Sequence, residues 1–259
     1  MKSLKFYRLI LCFLFTGIII STSAREKYNF NSDWLINVGD MQGAEQSQIV
    51  DKSWKKVTLP AAFNEDEAFR ISILEHTDTI VWYRKHFRLP KNARDQKIFL
   101  EFEGIRFGGE FFLNGKSLGW SENGVMAFGF DITDKVNYTG DNVLSARIDN
   151  SWRYKEHTTG SSYQWNDRNF NANYGGIPKN VYLHVASRVY QTLPLYSNLQ
   201  TTGTYIYARE IDITGRTAQV FAESQIKNEF PEQQMVELEV KIEDLDGKII
   251  KTYKSKPEA

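Results

Sequence analysis

The residues most able to do chemistry cluster in "SSYQWNDRNFNANYGGIPKNVYLHV", positions 161–185. Four asparagines and an aspartate sit there among Tyr163, Trp165, Phe170 and Tyr174, ahead of a glycine pair. An amide both donates and accepts hydrogen bonds, so it can satisfy a sugar hydroxyl. An aromatic face beside it can cover the apolar face of a sugar ring. The competing reading is a loop whose aromatics pack on a scaffold while its Asn residues close turns.

A second pattern is carboxylate. Glu101 and Glu103 in "KIFLEFEGI" share one side of a strand. Two residues apart on a strand they lie about 7 Å from each other, the separation of an inverting glycosidase pair. We read them instead as a solvated strand face, since half-buried strands alternate in this way. Glu237, Glu239 and Glu243 take the same reading. His76, His86, His157 and His184 show no metal-ligand spacing, and no glycine-rich phosphate loop is present, so neither a metal nor another cofactor is expected.

Strands must position these groups. "VWYRKHFRL" (81–89) puts Val81, Tyr83, Phe87 and Leu89 on one face. Ile98, Leu100 and Phe102 repeat the pattern, as do Leu144, Ala146 and Ile148, and Val181, Leu183 and Val185. Asn114-Gly115 lies between apolar strands, a strong hairpin signal, and Gly175-Gly176 permits a tight bend before the strand that starts near Val181. No long window has helical period, so the chain is predicted all-β, an antiparallel jelly-roll sandwich over residues 25–190. From 191 to 259 three or four more strands are expected, including alternating Val236, Leu238, Val240 and Ile242 and a turn at Asp246-Gly247. That is too little for the roughly 100 residues of a complete immunoglobulin-like sandwich, so this part is predicted to be a partial one.

The totals narrow the partners. Formal net charge is zero over 259 residues, with 14% aromatic and 25% charged residues. Balanced charge argues against nucleic acid and against an electrostatic membrane anchor. Residues 1–24 are expected to be a cleaved secretion signal: Lys2, Lys5 and Arg8 precede an apolar run from Leu9 to Ile20, and Thr22-Ser23-Ala24 suits a cleavage site. The mature protein is then expected to be secreted or periplasmic, with no membrane attachment. The only cysteine, Cys12, lies within that run without the small residues a lipidated cysteine needs before it, so no disulfide is expected.

The order of motifs carries a resemblance. "FNSDWLINVGD", "SWKKVTLPAAF", "VWYRKHFRLP", "FEGIRFGGEFFLNGKSLGWSENGVMAFGFDIT", "NVLSARIDNSW" and "YGGIPKNVYLHV" follow one another as in the N-terminal sugar-binding domain of glycoside hydrolase family 2. The likeness covers about residues 28–186 and resembles β-galactosidases most. It implies a retaining β-glycosidase acting on a terminal β-linked sugar. Its two catalytic glutamates would sit on a (β/α)₈ barrel of about 250 residues, which this chain has no room for, so no catalytic residue is assigned here. The family's sugar-contacting side chain lies just upstream of the Gly-Ile before the last strand. Counting back from Gly176-Ile177 reaches Phe170 without a gap and Asn169 with one inserted residue. Asp167, Asn169 and Asn171 are therefore the candidate sugar ligands, with Trp165 or Tyr174 as a stacking face. A stand-alone, non-catalytic carbohydrate-binding module is the alternative, and an interaction domain without a sugar site a further one.

Overall fold

A computed structural model describes residues 25–64, 78–122, 124, 126–162 and 174–259. The expected signal segment, 1–24, lies outside the described residues.

Two antiparallel sheets face each other. The smaller is formed by β1 (Glu26–Asn29), β12 (Val181–Ala186), β6 (Lys97–Phe102) and β9 (Phe128–Asp131), in that spatial order. The larger runs β3 (Lys55–Val57), β2 (Trp34–Val38), β5 (Ile80–Phe87), β10 (Asn142–Asp149), β7 (Gly108–Leu113) and β8 (Lys116–Ser121). A short pair, β4 (Ala61–Ala62) with β11 (Gly176–Ile177), closes one end. Period-two alternation decides what lies between the sheets. Ile98, Leu100 and Phe102 from β6 meet Val81, Tyr83 and Phe87 from β5, Leu144, Ala146 and Ile148 from β10, and Val181, Leu183 and Val185 from β12. Phe102, Phe111, Phe128 and Phe130 form an aromatic centre, with Phe102 and Phe128 stacked at 5.2 Å. The Asn114-Gly115 hairpin forms with φ of 54° and 79°, the left-handed pair that a two-residue turn of this twist requires.

Part of the outer face of each sheet is covered, which alternation alone did not indicate. Over the larger sheet, residues 40–54 fold back. Ala44 and Trp54 pack on Trp82, and Asp51 reaches Arg84. Over the smaller sheet lies the segment after β12. It comprises β13 (Val189–Gln191) and the short helix α1 (Tyr196–Leu199), whose neighbours Leu193 and Leu195 join Tyr190 on Phe99. Gly129 makes this possible: a Cβ there would stand 2.6 Å from Leu195 Cδ1.

Lys85 is an exception to the apolar side of β5. It shares the inward parity of Tyr83 and Phe87, and its ammonium escapes past Phe30 (4.5 Å from the ring centroid) to the Ser32 carbonyl. Burial lowers its pKa, against the attraction of Asp33.

Beyond the sandwich come β14 (Thr204–Asp212), β15 (Thr217–Ser224), β16 (Ile226–Asn228), β17 (Glu239–Glu243) and β18 (Ile249–Lys254). With β13 these make three two-stranded sheets, β13–β16, β14–β15 and β17–β18. The strand count thus exceeds the three or four expected. The excess arises at Gln225, whose amide bonds to Gly203 O and whose carbonyl accepts from Thr192, so one apolar run changes partners there. The strand expected from Val236 is confined to Glu239–Glu243, and Val236 makes only an isolated bridge to Glu258. Tyr205, Ile206, Val220, Ile249 and Tyr253 are exposed on these hairpins.

Candidate functional site

Of the five sugar-contact candidates, Trp165, Asp167, Asn169 and Asn171 lie outside the described residues. Tyr174 is described and half-buried. What the structure shows is how both roots of the 163–173 segment are fastened.

The returning root is a backbone clamp. Gly175 N donates to the buried Asn64 Oδ1 at 3.1 Å, and Phe63 N donates to Gly175 O. Gly176 and Arg106 exchange both backbone bonds, at 2.7 and 2.8 Å. Gly176 has φ +102°, and a Cβ on it would stand 2.1 Å from the Tyr83 hydroxyl, which is fixed by a bond to Ala61 O. On Gly175 a Cβ would strike Phe63 and Asn150. The glycine pair is therefore demanded by close approach, not by a turn: Gly176 opens the short strand β11, and the bend before β12 falls at Lys179.

The departing root hangs on Glu122, just past the end of β8. Its Oε1 accepts from the Tyr154 hydroxyl at 2.5 Å and from His157 N at 2.6 Å. Tyr154 lies over Gly108, where a side chain would collide with its ring. Burial, then the bond to Glu122, raises the Tyr154 pKa, so the phenol stays a donor. The backbone amides of Ser151 and Trp152 are capped by Asp149 and Asp78. The chain then turns through Gly160 and bridges Lys155 to Ser162. Sequence inspection missed Glu122, because its partners are 32 and 35 residues away and no local pattern marks them.

The strand carboxylates differ from the solvated face expected of them. Glu101 is largely covered and accepts from the buried His184 Nε2 at 2.7 Å, with Lys27 Nζ at 3.3 Å. Burial opposes its ionisation, but His184 and Lys27 outweigh this and its pKa is lowered. His184 is lowered too, by burial first, against the pull of Glu101. Glu103 lies beyond the end of β6 and accepts from Asn180 Nδ2 at 2.7 Å. The cover came from the segment after β12 and from Arg25, which donates to Gln191 O. Both carboxylates are thus held by structural donors. Glu237 and Glu239 pair with Lys254 on exposed surface, as a solvated face does.

A sandwich of two antiparallel sheets, with the β4–β11 pair and its glycine clamp at one end, is the architecture of a galactose-binding-like β-sandwich. The family model for the glycosyl hydrolase 2 galactose-binding domain-like fold matches residues 27–186, and the chain belongs to glycoside hydrolase family 2. A β-glucuronidase from Formosa agariphila is 34% identical over 90% of this chain and 24% of its own length. A β-galactosidase from Bacteroides ovatus is 28% identical over 92% and 26%. The chain thus spans about a quarter of the length of these curated relatives. Among solved structures, a family 2 β-glucuronidase superposes with TM-score 0.76 at 31% identity, covering 92% of this chain and 25% of that one. A putative β-galactosidase from Bacteroides fragilis shares the fold with TM-score 0.67 at 22% identity, over 90% of this chain and 33% of its own.

Proposed function

We propose that this chain is the N-terminal portion of a secreted, retaining β-glycosidase that removes a terminal β-linked sugar, with catalysis supplied by a barrel domain outside residues 1–259. The observation that carries this is the family match over 27–186 combined with relatives roughly four times as long. Residues 191–259 are read as the opening of the immunoglobulin-like domain that precedes such a barrel. The motif order favours a β-galactosidase. The 34%-identical relative is named a β-glucuronidase, so the neutral and the acidic sugar are the two substrates to compare.

In this reading the sandwich is a scaffold. The Gly175-Gly176 clamp and the Glu122 anchor fix the two roots of 163–173, and that segment presents a polar side chain to a sugar held by the barrel. A retaining mechanism needs two carboxyls about 5–5.5 Å apart on either side of the glycosidic bond. Glu101 and Glu103, bound to His184 and Asn180, do not serve as that pair.

The test is expression of the reading frame through its own stop codon, assayed with aryl β-galactosides and aryl β-glucuronides. Turnover with a β-configured first product supports the proposal. An extended, folded product inactive on both overturns it. A natural stop at 259 with oligosaccharide binding and no turnover establishes the carbohydrate-binding-module reading instead. Residues 1–259 alone are expected to show no turnover above buffer.

A further inference from the structure

Trp120 is turned to solvent by a β-bulge. Along β7–β8, Phe111 pairs with Gly119 and Phe112 with Ser117, so Leu118 is the extra residue. Leu118 packs toward the core, and Gly119 faces the core too, since a Cβ there would meet Phe130. The parity of the strand is thereby reversed and Trp120 points outward, 42% exposed, while Ser121 is buried. Bulges commonly re-aim a side chain in this way beside functional sites.

The tryptophan faces an open groove of about 680 Å³ walled by three separate segments. Strand β8 gives Trp120 and leads into Glu122; the turn before 163 gives Glu156, Thr158 and Thr159; helix α1 gives Ser197 and Asn198. The walls are tied together. Asn198 Nδ2 donates to Trp120 O at 3.1 Å, Glu156 Oε2 accepts from Thr159 Oγ1 at 2.9 Å, and Glu122 holds Tyr154 and His157 through one oxygen. His157 lies against the indole at 5.1 Å between ring centroids. One aromatic face, ringed by hydroxyl, amide and carboxylate groups already held in place, matches the alternating apolar and hydroxyl surfaces of a sugar chain. Among the described residues the groove lining holds two carboxylates and no cation, which disfavours any anionic ligand.

We propose that the Trp120 groove is a non-catalytic binding site for a neutral oligosaccharide. It lies on this chain alone, and it stands or falls without glycosidase activity, so its failure is distinct from failure of the function proposed above. A glycan held there would tether the protein to polysaccharide while the terminal sugar is processed elsewhere.

The experiment is isothermal titration of the full 259-residue chain with neutral β-linked galacto- and gluco-oligosaccharides and with a glucuronic-acid-containing oligomer of equal length. A neutral oligosaccharide should bind with weak, saturable affinity and the acidic oligomer more weakly. Trp120→Ala should reduce affinity about twofold to tenfold, the scale of a lost aromatic contact face, with the thermal midpoint unchanged. Should Trp120→Ala lose its fold, Ser197→Trp on the exposed side of α1 decides, because it fills the groove and should abolish binding. Lack of saturable binding by every neutral oligosaccharide, binding unaffected by the groove-filling variant, or preference for the acidic oligomer overturns the proposal.

Discussion

Lys97 Nζ, on β6 of the sandwich, stands 2.8 Å from Glu229 Oε2, just past β16. Lys97 also holds Asp131 at 2.6 Å, and Glu229 accepts from Tyr190 and Lys227, each at 2.9 Å. Burial works against the Glu229 carboxylate, but these bonds outweigh it and bring its pKa to about 2, from an ordinary 4.5. A depressed acid contributes stability that is complete above its unfolded pKa and is lost as pH falls through the folded one. The Glu229 contribution is therefore lost between about pH 4.5 and 2. Glu229→Gln should lower the thermal midpoint at neutral pH and flatten its decline across that window. Parallel curves for the two proteins would remove Glu229 from acid sensitivity.

The buried guanidinium of Arg84 predicts a larger loss. It is fully buried, and Asp51 Oδ2 accepts from its Nε at 2.8 Å, with Ala44 O, Gln46 O and Ser145 Oγ on Nη1. Removing Asp51 leaves a desolvated cation with neutral partners only. Breaking a buried pair from one side costs about 3–5 kcal/mol, and the carbonyls place Asp51→Ala near the lower end. Arg84→Met leaves the Asp51 carboxylate its second partner, His86 Nε2 at 2.7 Å, and so should cost less. Urea unfolding of both variants checks the order, and an Arg84→Met loss larger than that of Asp51→Ala contradicts it.

Two glycines with positive φ should respond differently to alanine. Gly176 combines φ +102° with a Cβ position 2.1 Å from the Tyr83 hydroxyl. Strain and overpacking add, so Gly176→Ala should cost at least about 2 kcal/mol. Gly43 has φ +78° and open space around it. Only the left-handed conformation is penalised there, about 1 kcal/mol. Thermal denaturation of the pair separates steric from conformational need. Equal losses would show that the Tyr83 contact relaxes freely.

The sandwich was legible because its signal is local. Residues two apart share a face, and Ile98, Leu100 and Phe102 announce theirs without help from the rest of the chain. What alternation does not encode is whether the other face meets water. Glu101 reads as solvated, but the segment that begins after β12 packs over its sheet and holds Arg25 beside it, while Trp82 and Arg84 are covered by residues 40–54. Both covers are remote in sequence from what they hide. The Leu118 bulge was equally hidden, since an extra residue in a pairing register shows only once the partner strand is placed. Of the five candidate sugar contacts, Tyr174 could be followed into the structure, and Trp165, Asp167, Asn169 and Asn171 stay sequence-based expectations.

Those polar members give the last prediction. In the product of the complete reading frame, Asp167→Ala and Asn169→Ala test whether the segment between the two roots touches sugar. Each hydrogen bond to a sugar hydroxyl is worth about 0.5–1.5 kcal/mol net, so kcat/KM should fall about twofold to tenfold per substitution. The thermal midpoint should stay put, because the two roots are fastened by Asn64, Arg106 and Glu122. The residues 1–259 alone should bind monosaccharide too weakly to saturate, since one or two such bonds do not offset the entropy of association. If the segment only packs and closes turns, the pattern inverts: the midpoint falls with the lost turn bonds, and activity per folded molecule is unchanged. Both quantities measured on the same variants separate the two outcomes, and an unchanged kcat/KM at both positions removes Asp167 and Asn169 from the sugar site.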